Sequence, residues 1–206
     1  MRQVKLKLYG IRELCPEARS KALDNNRDIN LGSDWSSSII DSWKISLPAL
    51  GFKAAEVFWT GFYSQGDGAC FDAEPDIPVL FEAYVKACAE KGGNLLGLLA
   101  KHKAAFLAAA ESCDMRITRI RIGHYCHERT RYITLTLRPA RNTRFNTFYR
   151  EFQSFVEELR IQLCGEIYGD LEKEYVSLTD DEAVMEALDT SSCEFFADGR
   201  PYAESD

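Results

Sequence analysis

A chain of 206 residues with 46% hydrophobic and 12% aromatic content is long and apolar enough to bury a core, which excludes general disorder. No stretch reaches the roughly 18 uncharged apolar residues of a membrane span, because residues 95–110 are broken by Lys101, His102 and Lys103. The formal net charge of −7 is uneven: residues 116–150 hold nine arginines against Glu128 alone, whereas residues 151–206 hold sixteen acids against Arg160, Lys173 and Arg200. The N-terminus alternates polar and apolar residues and lacks the apolar core of a signal peptide, so the expectation is a cytoplasmic protein with no membrane partner. Seven scattered cysteines without a CxxC pair read as small buried hydrophobes in a reducing compartment, and predict neither a disulfide framework nor a zinc site.

In chain order, residues 2–9 alternate as a strand, with Val4, Leu6 and Leu8 on one face. Residues 13–26 read as a helix with Pro16 in its first turn, and a second helix spans 35–47, capped by Ser33 or Asp34 and ended by Pro48 and Gly51. Short strands at 56–60 and 69–73 flank a glycine-rich connection. Two helices at 79–91 and 94–111 follow, split by Gly92 and Gly93.

A hairpin of 115–126 with 131–138 is expected next. Its pattern places Ile120, Ile122, His124 and Cys126 opposite Leu137, Leu135, Ile133 and Arg131 on an inner face. Arg119, Arg121, Tyr125 and His127 then share the outer face with Tyr132, Thr134, Thr136 and Arg138. A helix over 144–174 carries Phe145, Phe148, Phe152, Phe155, Leu159 and Leu163 at helical spacing, with an interruption expected near Gly165 or Gly169. A short helix at 180–188 and an edge strand at 193–196 close the chain. The fold class is a single α+β domain over 1–206, an antiparallel sheet of five or six strands with helices mainly on one face.

The most unusual segment is Trp59-Thr60-Gly61-Phe62-Tyr63-Ser64-Gln65-Gly66-Asp67-Gly68-Ala69-Cys70-Phe71. Glycines let a backbone or ligand approach closely, and consecutive amides in such a loop can cradle an anion, so Ser64, Gln65, Gly66, Asp67 and Gly68 form a candidate binding loop. In the alternative reading Asp67 and Ser64 cap local backbone groups. A hydrolase or transferase reading makes Cys70 the nucleophile, His124 or His127 its base and Gln65 an oxyanion donor, and its variant centres on Asp67 with a metal. Against it, Cys70 does not open a helix whose N-terminus would activate a thiolate. His124 and His127 lie three apart on a strand and face opposite ways, so they do not form a metal pair, and no cofactor is expected. If the hairpin meets the glycine loop, His124 and Cys126 on the inner face are the residues to do so. The strongest binding candidates are Arg119, Arg121, Arg138, Arg141 and Arg144 with Tyr125 and Tyr132, residue types suited to an acidic protein, a nucleoprotein or nucleic-acid phosphates.

On the segment from Trp59 to Phe71, with Tyr9-Gly10-Ile11-Arg12-Glu13-Leu14, Glu17-Ala18-Arg19 and His124-Tyr125-Cys126-His127-Glu128, the chain resembles a group of small phage and prophage proteins, some labelled antitoxins of toxin–antitoxin stability systems. The resemblance implies an accessory protein that binds host or competing-element machinery stoichiometrically, as an antitoxin or an inhibitor of a defence system such as CRISPR. It assigns no catalytic role to any residue.

Overall fold

The computed structural model describes residues 5–90, 103–104, 108, 113–119, 125–137 and 144–203. The fold is α+β, built as two compact units: Met1–Ser37 with Leu171–Asp206, and Ser38–Asp170. Among the described residues no helix is long and apolar enough to cross a membrane.

In the first unit, strand β1 (Tyr9–Gly10) pairs antiparallel with β6 (Glu194–Phe195), and helix α1 (Pro16–Asn25) begins after a single 3-10 turn at Ile11–Glu13. Of the strand expected over 2–9, residues 2–4 lie outside the described residues, residues 5–8 are not in a strand, and Tyr9 joins a two-residue ladder with Gly10. Helix α5 (Asp181–Thr190) opens on Asp180, whose carboxylate accepts from Ala183 N at 2.8 Å. Ile11, Leu14, Ala18, Ala22 and Leu23 pack with Val184, Leu188 and Phe195 in one apolar cluster. Arg27 ties its rim by bonding Asp24, Asp181 and the Thr179 carbonyl.

The second unit opens with α2 (Ser37–Ser46) and a 3-10 turn at Leu47–Leu50. Strands β2 (Phe52–Thr60) and β3 (Gly68–Pro75) then form a hairpin, followed by α3 (Ile77–Glu90). Both strands outrun the expected 56–60 and 69–73, and a bulge between Lys53 and Glu56 absorbs the extra length of β2. Gly68, Ala69, Cys70 and Phe71 are all buried, so the first half of β3 is covered on both faces, unlike an alternating half-buried strand. The expected helix over 94–111 falls largely outside the described residues.

Strand β4 (Cys113–Arg119) pairs antiparallel with β5 (Arg131–Leu137), but in another register from the one the pattern predicts. Leu137 faces Cys113 where Ile120 was expected, a shift of seven residues. The sequence changes phase here: Met115 and Ile117 alternate on odd positions, Ile120 and Ile122 on even ones. Among the described residues the ladder uses the first set, as far as Arg119 opposite Arg131, and the second set lies outside them.

The long helix α4 (Arg144–Thr179) runs through Gly165 and Gly169 without the expected interruption. A glycine costs about 1 kcal/mol in a helix, and burial of Leu163, Cys164, Ile167 and Leu171 beside these two outweighs it.

The five- or six-stranded sheet is not what forms. Among the described residues the strands make three separate two-stranded antiparallel sheets, β1–β6, β2–β3 and β4–β5. The outer edge of β5 shows one reason. Ile133 N donates to Glu157 Oε2 at 2.8 Å, and Ile133 O accepts from Gln153 Nε2 at 2.9 Å. The Arg131 carbonyl accepts from Arg160 at 2.9 Å. Residues 153, 157 and 160 lie on one face of α4, so the helix satisfies an edge that another strand would otherwise occupy.

Candidate functional site

The segment from Trp59 to Phe71 folds as the tip of the β2–β3 hairpin. Thr60 pairs with Gly68, Trp59 with Ala69 and Phe58 with Cys70, leaving residues 61–67 as the turn. Asp67 closes it: its Oδ2 accepts from Ser64 N at 2.7 Å, and its own amide donates to the Ser64 carbonyl at 3.1 Å. Thus the Asp67 carboxylate serves as a local cap. Tyr168 on α4 donates to the Gly61 carbonyl at 3.2 Å, and the Phe62 ring lies between Trp59 and Tyr168 at centroid distances of 5.5 and 5.3 Å. The turn is therefore anchored to the long helix. Ser64, Gln65 and Tyr63 are exposed on it, Tyr63 at 79%.

Gly66 in the turn and Gly68 at the start of β3 are required by what lies over them. Gly66 has φ +95°, and a β-carbon there would stand 2.1 Å from Tyr125 Cδ1. A β-carbon on Gly68 would meet the His127 β-carbon at 2.7 Å. The Tyr125-Cys126-His127 segment is thus seated directly on the glycine loop. The two motifs meet through Tyr125 and His127, with the Cys126 carbonyl 3.7 Å from a β-carbon placed on Gly68, while the contact expected of His124 lies outside the described residues. His127 caps the 3-10 turn Glu128–Thr130: its Nδ1 accepts from Arg129 N at 3.2 Å, and its carbonyl accepts from Thr130 at 2.7 Å.

Beneath this contact lies a buried ionic network. Arg131, 1% exposed, donates through Nε to Asp72 Oδ1 at 2.5 Å, bonds Thr130 Oγ1 at 3.2 Å and stacks on Phe58 at 5.2 Å. Burial alone would pull its pKa down; the Asp72 hydrogen bond, with lesser attractions, leaves it raised. Arg160, fully buried, donates to Glu157, to the Glu128 and Arg131 carbonyls, and to Cys164 Sγ at 3.7 Å. Cys70 sits among these groups with no exposed surface. Burial pushes its thiol up, against the opposing effects of a Thr130 hydrogen bond and the Arg131 charge. A protonated thiol sealed in a core is not an activated nucleophile, and Gln65, exposed on the turn, does not accompany it inside.

The other predicted residues are described only in part. Arg119 is exposed and pairs with Arg131 across the ladder, while Tyr132 pairs with Thr118 and so lies on the opposite face of the β4–β5 ribbon. Arg121, Arg138 and Arg141 lie outside the described residues, and Arg144 begins α4. Tyr125 and Tyr132 are 46% and 43% exposed. Sequence reasoning missed Asp72, Glu157 and Arg160 as partners of this region. The legible signal was Arg131, a charged residue on a face otherwise read as apolar.

The chain gives no match among curated proteins and none among solved structures. Residues 35–181 match a family described as Domain of unknown function (DUF8835), a span that contains the whole second unit, the glycine loop and the Tyr125–Thr130 segment seated on it. Since that span is well over half of its length, the chain belongs to the DUF8835 family.

Proposed function

We propose that this chain is a phage- or prophage-type accessory protein that acts by stoichiometric binding to a host or defence macromolecule, as an antitoxin or as an inhibitor of a CRISPR-type defence system. One observation carries the reading. Around the motif, the groups with chemical potential are committed to holding the structure, whereas the accessible ones are suited to contact. Cys70 is sealed with its thiol pushed up, Asp67 caps a turn, and Asp72 neutralises Arg131. Tyr63, Ser64 and Gln65 face outward, with Tyr125 part-exposed above the loop and Arg119 exposed on β4. Among the described residues, such a surface offers contact area and hydrogen bonds without an activated nucleophile. The likeness of the motif to phage and prophage proteins supports the same class of action.

The test is stoichiometry. Tagged chain is used to recover its target from a lysate of the bacterium that carries the gene; the target is then purified and titrated with the chain while its activity is followed. Inhibition that saturates at a fixed molar ratio, and reverses when the chain is competed off, is the expected result. Complete inactivation by a small fraction of an equivalent would mean turnover and would overturn the proposal in favour of an enzyme. Recovery of no target would overturn it as well.

A further inference from the structure

The tip of the β2–β3 hairpin displays an aromatic side chain at a conformational cost. Tyr63 has φ +76°, a region that bulky L-residues rarely adopt, and it is 79% exposed. Its one ring neighbour among the described contacts is Phe62, at a centroid distance of 6.2 Å. A residue strained in this way and contributing little burial is not selected by the fold. Meanwhile the turn under it is fastened by the Asp67 cap, by Tyr168 on the Gly61 carbonyl, and by the Tyr125 ring pressed on Gly66. Preorganisation of this kind lowers the ordering cost of binding, and exposed tyrosines on rigid frames are frequent interface anchors.

Charge decides what kind of partner fits. Residues 59–68 contain one charged side chain, Asp67, whose carboxylate already accepts from Ser64 N. With no Lys or Arg in this stretch, the tip itself lacks the phosphate contacts that dominate affinity for nucleic acid. We propose that the hairpin tip is a protein-docking element in which Tyr63 is the anchor, seating in an uncharged, aromatic-receptive pocket on a folded protein partner. The proposal rests on the binding-protein reading above and adds the surface and the partner class.

The experiment compares wild type with Tyr63→Gly and Tyr63→Phe. Glycine relieves the positive φ, so its urea midpoint rises if Tyr63 serves binding; a fall would mean that Tyr63 serves the fold and would overturn the proposal. Photo-crosslinking from a benzoylphenylalanine at position 63, in the bacterium that carries the gene, should label one protein, with no such product from the exposed position 45. Once that protein is purified, Tyr63→Gly should weaken its binding about 30-fold or more, the scale of an interface anchor, while Tyr63→Phe retains most of it. If the partner is recovered and both variants bind like wild type, the docking surface is wrong while the function stands; if no partner is recovered at all, both fall. Two further arms use a 20-nucleotide single strand at low salt and vesicles of anionic phospholipid. Binding to either that is lost in Tyr63→Gly would reassign the tip away from proteins.

Discussion

Gly66 and Tyr125 are in such close contact that a single added methyl group has nowhere to go: a β-carbon on Gly66 would stand 2.1 Å from Tyr125 Cδ1 and 2.4 Å from Cε1. The glycine of one motif and the tyrosine of the other therefore fit as a pair, with Gly66 also held at φ +95°. This relationship explains why the two segments need each other.

Gly66→Ala is accordingly expected to cost about 2–4 kcal/mol, combining positive-φ strain with overpacking. In a Tyr125→Ala background the steric part disappears and only the strain of about 1–2 kcal/mol should remain. Urea unfolding of the four proteins of this cycle measures the difference. Additive penalties would show that the ring gives way freely and that the contact is not specific.

The Arg131–Asp72 pair predicts an asymmetry. Arg131 is buried to 1%, whereas the Asp72 side chain is 42% exposed. Removing the aspartate strands a buried cation, a loss of about 3–5 kcal/mol for fully buried pairs, and its exposed partner places the value toward the lower end. Removing the cation leaves a carboxylate that water can reach. Asp72→Asn should therefore lower stability more than Arg131→Met, which also retains the packing against Phe58. Equal losses in urea titrations would refute this ordering.

The sequence made most local elements legible and the pairings less so. Helices α1, α3 and α5 fall within a few residues of their apolar periodicity, and the glycine loop is the strand connection that its residues predict. The β4–β5 register was misread because two apolar alternations of opposite phase follow one another, and either one gives an inner face. Nothing in the strand pattern could show that the Ile133 edge would be satisfied by side chains of a helix twenty or more residues away. The candidate site was half visible. Its two motifs were singled out, but burial and the contacts of Tyr125 and His127, which follow from the register, decided which residues meet.

Cysteine chemistry gives a prediction with a defined sign. Burial pushes the Cys164 thiol up to about 12 from the ordinary 9.0, the nearby Arg160 charge opposing this. Below pH 9 the thiol is protonated in folded and unfolded chains alike and its contribution is fully present. Between pH 9 and about 12 the unfolded thiol ionises while the folded one does not, so stability is lost as pH rises, at about 1.4 kcal/mol per pH unit. The stability advantage of wild type over Cys164→Ala should thus shrink by about 2 kcal/mol between pH 9 and 10.5. Parallel urea titrations across that interval would contradict the assignment. In the native protein at pH 8, iodoacetamide should modify exposed Cys15 well before Cys70 or Cys164.

The helix-capped edge of β5 predicts a graded series. Gln153→Ala removes one hydrogen bond from the Ile133 carbonyl and should cost about 1 kcal/mol. Glu157→Ala does more, because one carboxylate accepts from Ile133 N and also pairs with Arg160, which has no exposed surface. That variant leaves a buried amide unsatisfied and a buried cation without its carboxylate, a loss of about 3 kcal/mol or more. Glu157→Gln keeps an acceptor for the amide but not the charge, and should fall between the two. Hydrogen exchange at Ile133 separates the effects: protection of its amide should drop in Glu157→Ala beyond the loss of global stability, and persist in Glu157→Gln. If all three variants unfold at the same urea concentration, the helix does not secure this edge, and another cause must be sought for the sheet ending at two strands.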